Sequence, residues 1–144
     1  MLKIRIYKNN NKKSAIYGKY LGRVKVNETY DLEKLAEHMS LHNTPYSKGT
    51  IYGVLKDMVS CIHELTLQGN AVKLNDLAIF SLGIRSGHTD KPEEFDIGKD
   101  VMAYKLRARA TGQFSRDELA TVAASKQDDE YIKPKSETTT TTQP

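Results

Sequence analysis

The chain has no tryptophan, one cysteine, four prolines and four histidines among its 144 residues. The single cysteine, Cys61, forms no internal disulfide, which points to a reducing compartment. So little Trp and His argues against aromatic cages and histidine-rich metal sites. No apolar run approaches the ~20 residues of a spanning helix, and the first residues lack the apolar core of a signal peptide. The expectation is a cytoplasmic protein that meets no membrane. Acids are missing only locally: residues 1–26 carry eight Lys or Arg and no Asp or Glu, although the net charge of the whole chain is only +4. An acid-free cationic stretch predicts either a polyanion partner or a lysine-protected sheet edge.

At 38% hydrophobic and 28% charged, the chain suits one compact domain with tails. Leu2, Ile4 and Ile6 alternate with Lys3, Arg5 and Tyr7, the period of a half-buried strand. After a turn at Asn9–Lys13, the stretch Ala15–Val26 resumes the pattern, which predicts a hairpin whose outward face is Lys3, Arg5, Arg23 and Lys25. A short helix follows, with Leu32, Leu35, Ala36 and Met39 at helical spacing and Thr29 or Asp31 at its cap. A second helix runs from a Ser47 cap to a Gly69 stop, carrying the stripe Ile51, Val54, Leu55, Met58, Val59, Ile62 and Leu65. At about 20 residues it spans roughly 30 Å, longer than so small a domain needs for its own core. Packing against a second copy is one reading of that stripe, and an intramolecular core is the other.

Strand patterns return after Gly69. Val72 and Leu74 alternate with Ala71 and Lys73, and Phe80, Leu82 and Ile84 follow on one face. Residues 86–97 are polar, contain Gly87 and Pro92, and read as a hairpin tip or flexible arm. A third strand, Val101–Ala110, sets Met102, Tyr104, Leu106 and Ala108 on one face and Lys105, Arg107 and Arg109 on the other. A short helix over Arg116–Ala124 precedes a polar, Thr-rich segment from Ser125 that has almost nothing to bury and is expected to be disordered.

Catalytic patterns are nearly absent. There is no glycine-rich phosphate loop and no nucleophile elbow. Cys61 reads as a small buried hydrophobe, since two positions separate it from His63 and direct the pair to different helix faces. His38 and His42 have i, i+4 spacing but no third ligand in sight, so they read as a surface pair. Glu93, Glu94 and Asp96 read as a solvated loop. No catalytic residue, metal, cofactor or small-molecule substrate is expected.

The strongest chemical signal is the row Lys105, Arg107, Arg109. Alternate strand positions lie about 6.6 Å apart, close to the phosphate spacing along one DNA strand, so such a row tracks a nucleic-acid backbone. Arg85 and Lys99, expected on neighbouring strands, widen the strip, and Lys73 reaches its edge. A solvated sheet face is the plainer alternative.

The order helix, turn, long helix, short strand, tight loop, aromatic-bearing strand, arm and returning basic strand resembles the HU/IHF family of bacterial nucleoid DNA-binding proteins. The resemblance is carried by Leu32-Glu33-Lys34-Leu35-Ala36-Glu37, by Gly69-Asn70-Ala71-Val72-Lys73-Leu74 and by Asp76-Leu77-Ala78-Ile79-Phe80-Ser81-Leu82. The basic front hairpin looks closest to the HU-related proteins of Bacteroides-like bacteria, in which a β extension precedes the HU domain. The resemblance implies an α+β fold of two helices, then a sheet with a β-arm and a C-terminal helix, in an intertwined homodimer whose strands form a saddle over double-stranded DNA. It divides the chain into a hairpin extension (1–28), an HU-like domain (29–124) and a tail (125–144). Carried over by position, Arg109 falls near the family's basic residue at the end of the returning strand, and Pro92 is the arm's only candidate for an intercalating proline.

The expected DNA contacts are therefore Lys105, Arg107, Arg109 and Arg85, with support from Lys99, Lys73, the arm-tip Lys91 and Pro92, and the hairpin cations Arg5, Arg23 and Lys25. Two features depart from the family pattern: Asp76 and Ala78 replace loop glycines, and the arm tip carries Asp90, Glu93, Glu94 and Asp96. Those acids repel phosphates, so the expected binding is directed to the backbone and sensitive to salt. The other reading is a non-enzymatic HU-like dimer that has lost DNA binding and serves as a protein-interaction or structural module.

Overall fold

A computed structural model describes residues 1–128. The fold is α+β, with four α-helices and two three-stranded sheets among the described residues. The chain divides into two units, one made of Met1–Glu28 with the segment from Ala123 onward, the other of Thr29–Val122.

In the first unit, β1 (Leu2–Lys8) pairs antiparallel with β2 (Tyr20–Val24), in a register that sets Arg5 opposite Arg23 and Ile4 opposite Val24. The second strand is shorter than its alternating pattern because polar side chains hold the preceding residues in turns. Asn9 Oδ1 accepts from the Asn11 N–H at 3.0 Å and Asn9 Nδ2 donates to Ser14 Oγ at 3.1 Å. The segment expected to begin a disordered tail at Ser125 instead supplies β6 (Ser125–Gln127), which pairs parallel with the free edge of β1. Its residues have nothing apolar to bury, but the open edge offers hydrogen bonds: Leu2 N–H donates to Ala124 O and Asp128 N–H to Ile4 O, each at 2.8 Å. The rest of the expected tail, residues 129–144, lies outside the described residues.

The second unit opens with α1 (Leu32–Ser40). Of the two capping candidates it is Asp31 that caps, its carboxylate accepting from the Lys34 N–H at 2.9 Å, an interaction of about 1 kcal/mol. Ser47 likewise caps α2 (Lys48–Leu67). Lys48 at its start reaches Glu33 and Glu37 of α1, each at 3.2 Å, and hydrogen bonds to Glu37 and Glu33 raise its pKa. At the other end Gly69 takes φ +86°, which a side chain resists, and Asn70 N–H folds back onto Leu65 O. The sheet follows in the order β3 (Val72–Leu74), β4 (Ala78–Ser86), β5 (Val101–Ala110). Between β4 and β5 lie a 3₁₀ turn over Pro92–Glu94 and the one-turn α3 (Ile97–Asp100), and α4 (Arg116–Val122) follows β5.

Little of the apolar surface is enclosed. Among the described residues the buried hydrophobics are Ala36, Ile51 and Ala78, whereas Val54 and Leu67 on α2 and Leu106 on β5 are each more than 60% exposed. Cys61, expected to be buried, is exposed for the same reason: the long helix has more apolar surface than the rest of its unit covers.

Candidate nucleic-acid interface

Strand pairing decides which side chains share a face. In the β3–β4–β5 sheet, Lys73 stands opposite Ile79, which stands opposite Arg109; Ser81 faces Arg107, Gly83 faces Lys105 and Arg85 faces Ala103. Directly paired residues project to the same side. Lys73, Arg85, Lys105, Arg107 and Arg109 therefore occupy one face, and the three strands contain no Asp or Glu. Val72, Phe80, Leu82, Ile84, Tyr104, Leu106 and Ala108 occupy the other.

Ile79, Ser81, Arg107, Ala108 and Arg109 line a shallow depression of about 450 Å³. At Gly83 a Cβ would stand 2.6 Å from Arg107 Cδ, so the arginine stem lies across the bare backbone of the neighbouring strand. Gly83 escaped the sequence reading because nothing in a single strand pattern shows which side chain its partner strand lays over it. Beyond Arg85 the register slips by one residue, where β4 bends away into the arm.

Lys99 does not lie on a neighbouring strand. It sits in α3, because Asp96 Oδ1 accepts from the Gly98 N–H and Asp100 Oδ2 accepts from the Asp96 N–H, each at 2.8 Å, which winds the segment into a turn. Two of the arm's acids thus serve as backbone acceptors. Lys91 stands at the N-terminal cap position of the 3₁₀ turn and Pro92 is its first residue, with Glu93 and Glu94 beside them.

The hairpin cations belong to the other unit, and each has an intramolecular partner. Arg23 lies over the Tyr7 ring, 4.9 Å from its centroid. Lys25 Nζ is 3.1 Å and Arg5 Nε 3.8 Å from Asp128 Oδ2, a carboxylate only 2% exposed. Burial alone would raise the Asp128 pKa, but the Lys25 ammonium beside it, with the charges of Lys3 and Arg5, outweighs burial and holds the carboxyl below its ordinary value. Asp128 also escaped the sequence reading, since Ser125-Lys126-Gln127 has no strand pattern.

His38 and His42 approach with their Nε2 atoms 3.0 Å apart. No group of three or more metal-ligating side chains forms among the described residues, and no described helix is long and apolar enough to cross a membrane.

A protein of Bacteroides vulgatus ATCC 8482, described as a candidate bacterial DNA-binding protein, shares this fold, with a TM-score of 0.60 and 14% identity over 88% of this chain. The match covers 47% of that protein, so this chain spans about half its length. Anabaena HU, cocrystallised with DNA, aligns at a TM-score of 0.47 and 18% identity over 63% of this chain and 98% of its own. No curated protein matches at a significant level. A family model, described as an HU domain fused to wHTH, Ig, or Glycine-rich motif, matches residues 1–123, and on that match the chain belongs to the HU-HIG family.

Proposed function

We propose that the protein is a non-enzymatic, histone-like component of the bacterial nucleoid that binds double-stranded DNA with little sequence preference. The observation that carries this reading is the gathering of Lys73, Arg85, Lys105, Arg107 and Arg109 on one face of a sheet without a carboxylate. A row of cations at the spacing of a strand suits the phosphate backbone, which carries no sequence information. Lys99 and the arm-tip Lys91 and Pro92 take lesser roles, beside acids that weaken them, and Arg5, Arg23 and Lys25 form a second cationic patch on the hairpin.

The active form in this reading is an intertwined homodimer. A unit that buries only Ala36, Ile51 and Ala78 among its hydrophobic residues has too small a core to stand alone. The apolar surfaces of α2 and of the sheet face that holds Leu82, Tyr104 and Leu106 are the ones a second copy covers.

Fluorescence anisotropy of a labelled short duplex tests the reading, comparing the natural chain with a Lys105→Ala/Arg107→Ala/Arg109→Ala variant over a range of salt. The expected result is affinity falling linearly in log–log salt, with a slope smaller in the variant by up to about 0.9 for each phosphate that is no longer neutralised. A folded dimer that binds no duplex even at low salt overturns it and favours an HU-like protein-interaction module.

A further inference from the structure

Residues 1–26 supply eight cations and no acid, yet a carboxylate sits on the basic face of the hairpin. It arrives from the far end of the chain. The β6 register, Leu2 with Ser125 through Ile4 with Gln127, brings Asp128 alongside Arg5, and Lys25 reaches the same oxygen from the opposite edge of the sheet. Asp128 is 3% exposed, and among the described residues Thr66 is the other buried polar side chain.

We propose that Asp128 is an internal stand-in for phosphate, a latch that occupies Arg5 and Lys25 until a nucleic-acid backbone displaces it. The proposal rests on the DNA-binding reading above and adds regulation to the hairpin's part in it. Carboxylate and phosphate oxygens compete for the same ammonium and guanidinium groups, so the hairpin holds one at the expense of the other. The latch is built to release. Among the described residues the strand that carries it has three residues, Ser125–Gln127, flanked by the backbone hydrogen bonds from Leu2 to Ala124 and from Asp128 to Ile4. Short edge segments with little buried apolar surface open at low free-energy cost.

The experiment compares duplex binding, by anisotropy across salt, of the natural chain, Asp128→Asn, Arg5→Ala/Lys25→Ala, and the combination of all three. The latch predicts that Asp128→Asn binds roughly two- to fivefold tighter, with a slope steeper by up to about 0.9 for each cation released to phosphate. Removing Arg5 and Lys25 then costs little in the natural chain but cancels the gain in the Asp128→Asn background. A second measurement uses the unaltered protein: hydrogen exchange at the Leu2 and Asp128 amides, which β6 docking protects, is expected to quicken when duplex is added. If Asp128→Asn binds as the natural chain does, or more weakly, or if DNA leaves those amides unchanged, the latch is wrong. Binding that still depends on Lys105, Arg107 and Arg109 in that case leaves the DNA reading standing, whereas absence of duplex binding in every variant removes both.

Discussion

Arg107 lies across Gly83, so close that a Cβ there would meet the arginine Cδ at 2.6 Å and Cγ at 3.1 Å. The glycine is the partner of Lys105 in the strand register, and its missing side chain leaves a trough in which the neighbouring cation rests between two others. Gly83→Val suits a strand but fills that trough and drives the flexible arginine off its course. The expected outcome is a folded protein with a salt slope for duplex binding reduced by up to about 0.9. Thermal melting alongside anisotropy checks it, and unchanged binding would show that Arg107 does not touch phosphate.

The loop between β3 and β4 is locked against the end of β5. Asp76 takes φ +62°, Gly112 takes φ +55°, and a Cβ on Gly112 would stand 2.5 Å from Asp76 Cα. Thr111 N–H donates to Leu77 O across the same junction at 3.0 Å. Gly112→Ala therefore meets both an adverse backbone conformation and a clash with main chain, and urea unfolding is expected to show a loss of roughly 2 kcal/mol or more.

Dimerisation is tested where the single chain looks indifferent. Val54 is 64% exposed and Leu106 61%, and truly exposed positions tolerate substitution within about 0.5 kcal/mol. In a homodimer that covers them, Val54→Lys and Leu106→Lys each lower the melting temperature and shift sedimentation toward monomer, and the natural chain melts at a temperature that rises with concentration. Tolerance of both substitutions would place the dimer interface elsewhere.

Acid is expected to open β6. The Asp128 carboxyl titrates below its ordinary value of 3.8 in the folded chain, so its contribution is fully present above that value and is lost as pH falls through the folded one. Amide exchange at Leu2 is expected to be steady from pH 7 to about 5, once intrinsic exchange is corrected for, and to lose protection below about 4. Loss of protection between pH 7 and 5 would mean that another group holds the strand.

The sequence makes much of the second unit legible, because there local pattern and tertiary demand agree. Ser47, Gly69 and the period-two run Val101–Ala110 mark their elements through capping, positive φ and alternation, all short-range effects. The arm is harder to read: Asp96 and Asp100 look like solvated charge in sequence, and only their hydrogen bonds to nearby amides reveal a turn that carries Lys99 away from the strands.

Local pattern marks the type and order of the main elements, the acid-free front and the basic row on the last long strand. Tertiary structure decided the rest. Pairing of β3, β4 and β5 put Lys73 and Arg85 on the same face as Lys105, Arg107 and Arg109, and an open edge of β1 drew in Ser125–Gln127 and with it Asp128. The physical reason is that charge and periodicity are local properties of a chain. Strand register and edge pairing instead depend on backbone groups far apart in sequence, which carry no side-chain signature of the partner they will meet.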